Sequence, residues 1–127
     1  MLQMAKGLRQ YQNVRVDADV NTASPHRLVQ LLYQGILERM AISKGLIDVN
    51  DISGKGRVIG EAINIVQYMR GTLDMEKGGD ISANLNNLYE YIERRLLEAN
   101  LKNDKAILDE VSGLVLDIKS AWDAIAA

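Results

Sequence analysis

Few residues of this chain carry the side-chain chemistry of catalysis or metal binding. Its 127 residues include no cysteine and one histidine, His26. Disulfides, zinc–thiolate sites, iron–sulfur clusters and thiol catalysis are therefore excluded. The Glu-x-x-His pairs that hold iron in some helical bundles do not occur in the sequence. His26 follows a predicted helix start, where a solvated first-turn residue is the expected role.

The remaining polar motifs do not combine into a site either. Asp109 and Glu110 are adjacent and would point in different directions on a helix. The Gly-Lys-Gly at 54–56 lacks the spacing and the preceding strand of a phosphate-binding loop. Arg94 and Arg95 are surrounded by glutamates, which makes them a poor stripe for tracking phosphates. The sequence therefore predicts a protein that is not an enzyme and has no cofactor and no metal.

Charge and hydropathy argue against three further classes: nucleic-acid-binding, membrane and secreted proteins. The formal net charge is -2, so the electrostatic footprint of a nucleic-acid-binding protein is missing. No run approaches the roughly 18 apolar residues of a membrane span, and Met1–Gly7 has no continuous apolar region like that of a signal peptide. We expect a cytoplasmic protein that neither binds nucleic acid nor inserts into a membrane.

Helix signals divide the chain into four segments of similar length. Ser24 is a good N-cap and Pro25 a good first helical residue, since proline has no N–H to leave unpaired. Gly78 and Gly79 suit a C-cap, and Asp80 suits the next N-cap. The predicted helices cover residues 25–49, 53–75, 81–101 and 104–126. Matched helices with short links favour antiparallel neighbours, so the predicted fold is all-α, an up-down-up-down four-helix bundle over residues 24–127.

The apolar residues of the first two helices exceed what one core-facing stripe requires. The third and fourth helices each carry a single seam, and Trp122 lies in the seam of the fourth, where we expect it to pack inside near the start of the third helix. In contrast, the first helix spreads its apolar residues over roughly 240° of the helical wheel. Beside its core seam, the second helix carries a second stripe, which we expect to face outward: Val58, Ile65, Tyr68 and Met69. Either the core is wide, or this surface is a groove for a partner.

Residues 1–23 form a separate segment. Met4, Leu8 and Tyr11 are spaced like one face of a short helix, and the residues after them read as extended or loose. The segment is either a frayed terminus or an arm that packs on the surplus apolar surface of the bundle.

With the helices placed, the chain resembles the FliS family of flagellin export chaperones over almost its whole length. The matching residues begin at Tyr11 and end at Trp122, and the most specific stretch covers the second link and the third helix. In order they are Thr22-Ala23-Ser24-Pro25, Leu28, Leu32-Tyr33, Gly35, Asp51-Ile52, Lys55-Gly56, Leu73-Asp74, Glu76-Lys77-Gly78-Gly79, Asn84-Leu85, Leu88-Tyr89-Glu90-Tyr91, Arg94-Arg95-Leu96-Leu97, Ala99-Asn100, Asp104, Leu108-Asp109-Glu110-Val111 and Ala121-Trp122.

The resemblance implies a bundle that binds the disordered C-terminal region of flagellin, keeps flagellin monomeric in the cytoplasm and delivers it to the flagellar type III export apparatus. It further implies an N-terminal segment that covers part of the binding surface. The implied partners are flagellin, a component of the export gate and a regulatory or co-chaperone protein. The residues expected to contact partners are Leu8, Tyr11, Tyr33, Val58, Ile65, Tyr68, Met69 and Tyr91. The alternative function is a generic helical-bundle adaptor for another secretion or signalling partner.

Overall fold

A computed structural model describes residues 23–125, and this part of the chain forms four helices. They are α1 (Pro25–Asp48), α2 (Ile52–Gly71), α3 (Gly79–Lys102) and α4 (Lys105–Asp123), and no strand occurs between residues 23 and 125. Helix α1 packs against α2 and α4, and α3 packs against the same two helices. The predicted all-α four-helix bundle is confirmed.

Contacts between helix ends establish the direction of each helix. The end of α1 meets the start of α4, since Lys105 Nζ lies 2.6 Å from Asp48 Oδ1. The start of α1 meets the end of α4 through the stacked rings of His26 and Trp122. Lys55 at the start of α2 hydrogen-bonds to residues at the end of α3. The helices therefore run up, down, up and down, as predicted.

Local capping explains where the helices begin and end. The Ser24 hydroxyl accepts a hydrogen bond from the Arg27 N–H at 3.1 Å, which confirms the predicted N-cap of α1. Helix α3 ends at Asn103, whose φ of 53° is a left-handed conformation that asparagine tolerates better than most residues. Asp104 then caps α4 by accepting the Ala106 N–H at 2.9 Å.

The link between α2 and α3 is longer than predicted. Helix α2 ends at Gly71 rather than at residue 75, and α3 begins at Gly79, so Asp80 lies in the first turn and is not the N-cap. The Asp74 carboxylate accepts the N–H groups of Glu76 and Lys77, at 3.2 and 2.9 Å. This local turn competes with continuation of the helix.

The core corrects the predicted outward stripe. Val58, Ile65 and Met69 are between 3% and 7% exposed, so the predicted outward orientation of this stripe is wrong. The physical reason is that α2 packs against both α1 and α3, and its apolar arc must therefore serve two neighbours. Tyr33, expected to contact a partner, is likewise only 3% exposed. Tyr68 is half-buried against the same core.

Candidate partner-binding site

All four helices contribute to an apolar cavity at one end of the bundle. The antiparallel order brings together the start of α1, the end of α2, the start of α3 and the end of α4. Between them lies a cavity of about 390 Å³. Within residues 23–125 no lining residue is charged. The lining residues are Val29, Tyr33, Met69, Thr72, Leu73, Ile81, Leu85, Tyr89, Ile118, Ala121, Trp122 and Ile125.

Two tyrosines supply the polar atoms in the wall between α1 and α3. The hydroxyl oxygens of Tyr33 and Tyr89 lie 2.6 Å apart and share a hydrogen bond. Both side chains are 3% exposed. Burial is the main cause that raises the pKa of each phenol, because a phenolate would lose its hydration there. Both hydroxyls are therefore neutral at physiological pH.

Trp122 closes the α1–α4 side of the cavity. Its ring stacks on His26 with centroids 4.8 Å apart and planes inclined by 15°. The indole N–H donates to the His26 carbonyl at 3.0 Å, and Gln30 Nε2 donates to Asp123 Oδ1 at 2.8 Å beside it. Trp122 lies near the bundle end that we predicted, but it is half-buried and lines the cavity.

The α2–α3 link forms the opposite side of the cavity mouth. The Ser82 hydroxyl donates to the Asp74 carbonyl at 3.0 Å, and the Gly78 N–H donates to the same oxygen at 2.8 Å. A Cβ added at Gly78 would lie 1.8 Å from Ser82 Oγ, so this close approach requires glycine. The link thereby holds Leu73 and Ile81 at the cavity.

Near the cavity, Arg70 on α2 forms hydrogen bonds and ion pairs with three residues of α3. Arg70 Nε donates to Asn86 Oδ1 at 2.8 Å, and its terminal nitrogens reach Glu90 and Glu93 at 3.0 and 3.2 Å. The partly exposed network orients α2 against α3. Such exposed pairs contribute little stability individually, so we assign this one a positioning role.

The opposite end of the bundle is closed by a buried lysine. Lys55 is 5% exposed, and its ammonium donates to the Asn100 carbonyl at 2.8 Å and to Asn103 Oδ1 at 2.6 Å. It thus satisfies one backbone carbonyl that the end of α3 leaves unpaired, that of Asn100, and the side-chain oxygen of Asn103. Polar contacts of Lys55 therefore join α2 and α3 at one end of the bundle, and the other end holds the apolar cavity.

The structure brings together only part of the predicted partner-binding set. Tyr33 and Met69 line the cavity, whereas Val58 and Ile65 are buried and do not line it. Tyr91 lies on the α3–α4 face, where its hydroxyl donates to Glu110 at 2.5 Å. Leu8 and Tyr11 lie outside the described residues.

The exposed apolar side chains lie mostly away from the predicted stripe. Leu97 and Leu101 are exposed on α3, Ile42 on α1, and Leu116 on α4. Sequence reasoning missed the cavity itself, although its lining residues Leu73, Leu85 and Ile118 are apolar residues of the predicted second, third and fourth helices. The available signal was their position: each lies near a helix end that the antiparallel order brings to the same side.

The described residues form neither a metal site nor a membrane-spanning helix. Among residues 23–125, no group of histidine and acidic side chains is arranged to hold a metal ion. No helix in this range is both long and apolar enough to cross a membrane.

The fold and the cavity define a class: a four-helix bundle whose candidate site is an uncharged, apolar surface for binding another molecule. Comparison with known families then identifies the family. The family described as flagellar protein FliS matches residues 7–127, and the chain belongs to it. FliS is a chaperone family and not an enzyme family.

Individual relatives agree over nearly their full lengths. The chain is 51% identical to the flagellar secretion chaperone FliSB of Pseudomonas aeruginosa, covering 94% of this chain and 95% of that one. It is 41% identical to flagellar secretion chaperone FliS of Vibrio cholerae, covering 96% and 90%. For FliS of Salmonella typhimurium the identity is 40%, covering 95% and 90%. The predicted family resemblance is confirmed.

Proposed function

We propose that this chain is the export chaperone of flagellin. It binds the disordered C-terminal region of flagellin, prevents premature polymerisation in the cytoplasm and delivers its client to the type III export apparatus. The observation that carries the proposal is the uncharged cavity built from all four helices, in a chain whose relatives are named flagellar secretion chaperones.

The chemistry of the cavity suits such a client. A segment that buries an apolar helical face in a filament is an aggregation hazard while it is free. The cavity offers that face apolar walls from Leu73, Leu85 and Ile118, and covering it requires no nucleotide hydrolysis. Each residue that becomes ordered costs about 1–2 kcal/mol of backbone entropy, so the client must gain more contact than one apolar side chain supplies.

The client therefore extends beyond the cavity. Coupled folding and binding usually buries about 1,000–3,000 Å², and a cavity of about 390 Å³ accommodates only a few side chains. Exposed apolar residues elsewhere on the bundle, including Leu97 and Leu101 on α3, provide further contacts for a client that wraps around the chaperone. We assign Tyr33 and Met69 to the cavity wall, and Tyr68 and Tyr91 to this outer path. Val58 and Ile65 support the walls from within.

Residues 1–23 complete the proposal. We assign them the role of an arm that covers the binding surface of the free chaperone and moves aside for the client. Leu8 and Tyr11 supply its apolar contacts, and Tyr11 then becomes available to a component of the export gate. A regulatory or co-chaperone protein is the further partner that family resemblance suggests.

Calorimetry with two flagellins tests the proposal. Full-length flagellin from the same organism should bind, and the same flagellin lacking its C-terminal region should not. In a sedimentation assay, the chaperone should keep full-length flagellin in the supernatant under polymerising conditions. Equal binding of the two flagellins, or filament formation at the normal rate in the presence of excess chaperone, would overturn it.

A further inference from the structure

The Tyr33–Tyr89 pair leaves one proton without an acceptor among residues 23–125. Two phenols carry two O–H groups, and the single hydrogen bond between them uses one. Across residues 23–125, neither hydroxyl makes any other hydrogen bond. Both side chains are 3% exposed and both line the cavity. A buried donor without an acceptor is unusual in native proteins, so the pair is poised to donate to something that enters.

The rest of the lining restricts what this acceptor can be. The other hydroxyl in the wall, that of Thr72, already donates to the Met69 carbonyl at 2.8 Å. No cationic side chain of the described residues lines the cavity, so a carboxylate would be desolvated there without a counter-charge. Burial also raises the pKa of both phenols, which shows that negative charge is disfavoured at this position. The acceptor is therefore neutral.

A backbone carbonyl fits these conditions better than a side-chain amide. An asparagine or glutamine amide would bring two N–H donors into a wall that offers few acceptors. The last carbonyls of a helix have no partner within the helix and carry no extra donor. A client helix that ends in the cavity would place apolar side chains on the walls and a free carbonyl near the phenols.

Resting on the proposed function, we infer that Tyr33 and Tyr89 are specificity-determining residues that bind an unpaired backbone carbonyl at the end of a client helix. The pair selects for segments that end a helix inside the cavity over apolar segments that run through it. This role differs from general apolar burial, because it depends on one proton and on a neutral oxygen.

Two small probes of matched shape test the inference without flagellin. Acetophenone carries a carbonyl and no N–H, and ethylbenzene has a similar shape without the acceptor. Each is titrated by NMR into the full chain, as wild type and as the Tyr33→Phe/Tyr89→Phe double variant. Acetophenone should bind the double variant about 3–10-fold more weakly than the wild type, the range of one neutral hydrogen bond. The affinity for ethylbenzene should differ by less than about twofold between the two proteins, since it makes no such bond. Equal changes for both probes, or none for either, would overturn the inference.

A second arm uses the client. The double variant should also bind full-length flagellin about 3–10-fold more weakly, while its circular dichroism spectrum and unfolding midpoint remain close to those of wild type. Unchanged flagellin affinity would overturn the inference, even if the probes discriminate. If wild-type chain binds no flagellin, the proposed function fails, and the probe titrations show separately whether the pair binds carbonyl oxygen.

Discussion

The tyrosine pair gives a prediction in which two substitutions cost less than one. Replacing Tyr33 alone with Phe strands the Tyr89 hydroxyl, which is 3% exposed, and replacing Tyr89 alone strands that of Tyr33. In the wild type each hydroxyl has the other as its partner, whereas the hydroxyl that remains in a single variant has no partner among residues 23–125. Stranding a buried hydroxyl in this way costs about 1–3 kcal/mol. Replacing both partners with apolar groups of the same shape is nearly neutral. Each single variant should therefore lose about 1–3 kcal/mol, and the double variant should recover most of that loss.

Urea unfolding of the four proteins forms the double-mutant cycle that measures this coupling. With single losses of about 1–3 kcal/mol each and a nearly neutral double variant, the coupling energy is about 2–6 kcal/mol in favour of the double variant. Additive losses in the cycle would refute the reasoning, because they would mean that each hydroxyl is satisfied independently of the other.

The buried tyrosine pair also predicts how the stability of the wild type depends on pH. Burial raises the pKa of Tyr33 and Tyr89 above the ordinary value of 10.0. Above pH 10 the unfolded chain releases these protons while the folded chain retains them, so stability falls as pH rises, by up to about 1.4 kcal/mol per pH unit for each phenol. The stabilising contribution is fully present below pH 10. Between pH 10 and 11.5 the wild type should therefore lose stability more steeply than the Tyr33→Phe/Tyr89→Phe variant, and equal slopes would contradict the assignment.

Three further substitutions test how the rest of the bundle is held. Trp122→Ala should cost about 2–3 kcal/mol, below the range for a fully buried ring, because the indole is half-buried but stacked and hydrogen-bonded; an unchanged melting midpoint would contradict its role. Lys55→Met should cost about 1–3 kcal/mol of stability by stranding two acceptors at the end of α3. The control Lys102→Met, at an exposed pair, should leave the urea midpoint unchanged. Equal losses of stability in the two variants would show that the buried Lys55 contacts stabilise the bundle no more than an exposed ion pair does. Gly78→Ala should lower the melting temperature, because the new Cβ would lie 1.8 Å from a side-chain oxygen, and Gly113→Ala in α4, with nothing within 4 Å, should raise it through helix propensity; the reverse order would refute the packing at the link.

Local signals predicted the fold better than they predicted the site. The Ser24–Pro25 start was predictable because capping depends on residues within one turn. The end of α2 was not, because the Asp74 turn that competes with the helix depends on side-chain hydrogen bonds that residue types alone do not reveal.

The predicted outward orientation of the second stripe of α2 was wrong for a different reason. A helical wheel records which residues share a face but not how many neighbours that face meets. Ile65 and Met69 look surplus when one core seam is assumed, yet α2 contacts both α1 and α3, and both residues are buried. The cavity depends on helix lengths, on the α2–α3 link and on how four ends meet, which are tertiary properties that no single segment encodes.

Binding of full-length flagellin by an Ile81→Asp variant tests the central claim most directly. Ile81 lines the cavity but is 73% exposed, and an aspartate in the first turn of α3 interacts favourably with the helix dipole. The fold should therefore remain intact while a charge enters the mouth of an apolar cavity. The matched control is Ile42→Asp, at a residue of α1 that is 52% exposed and does not line the cavity. We predict that calorimetry shows at least tenfold weaker binding, about 1.4 kcal/mol, for Ile81→Asp and near wild-type binding for Ile42→Asp. A folded Ile81→Asp variant that binds flagellin as tightly as the wild type would contradict the assignment of the cavity as the client site.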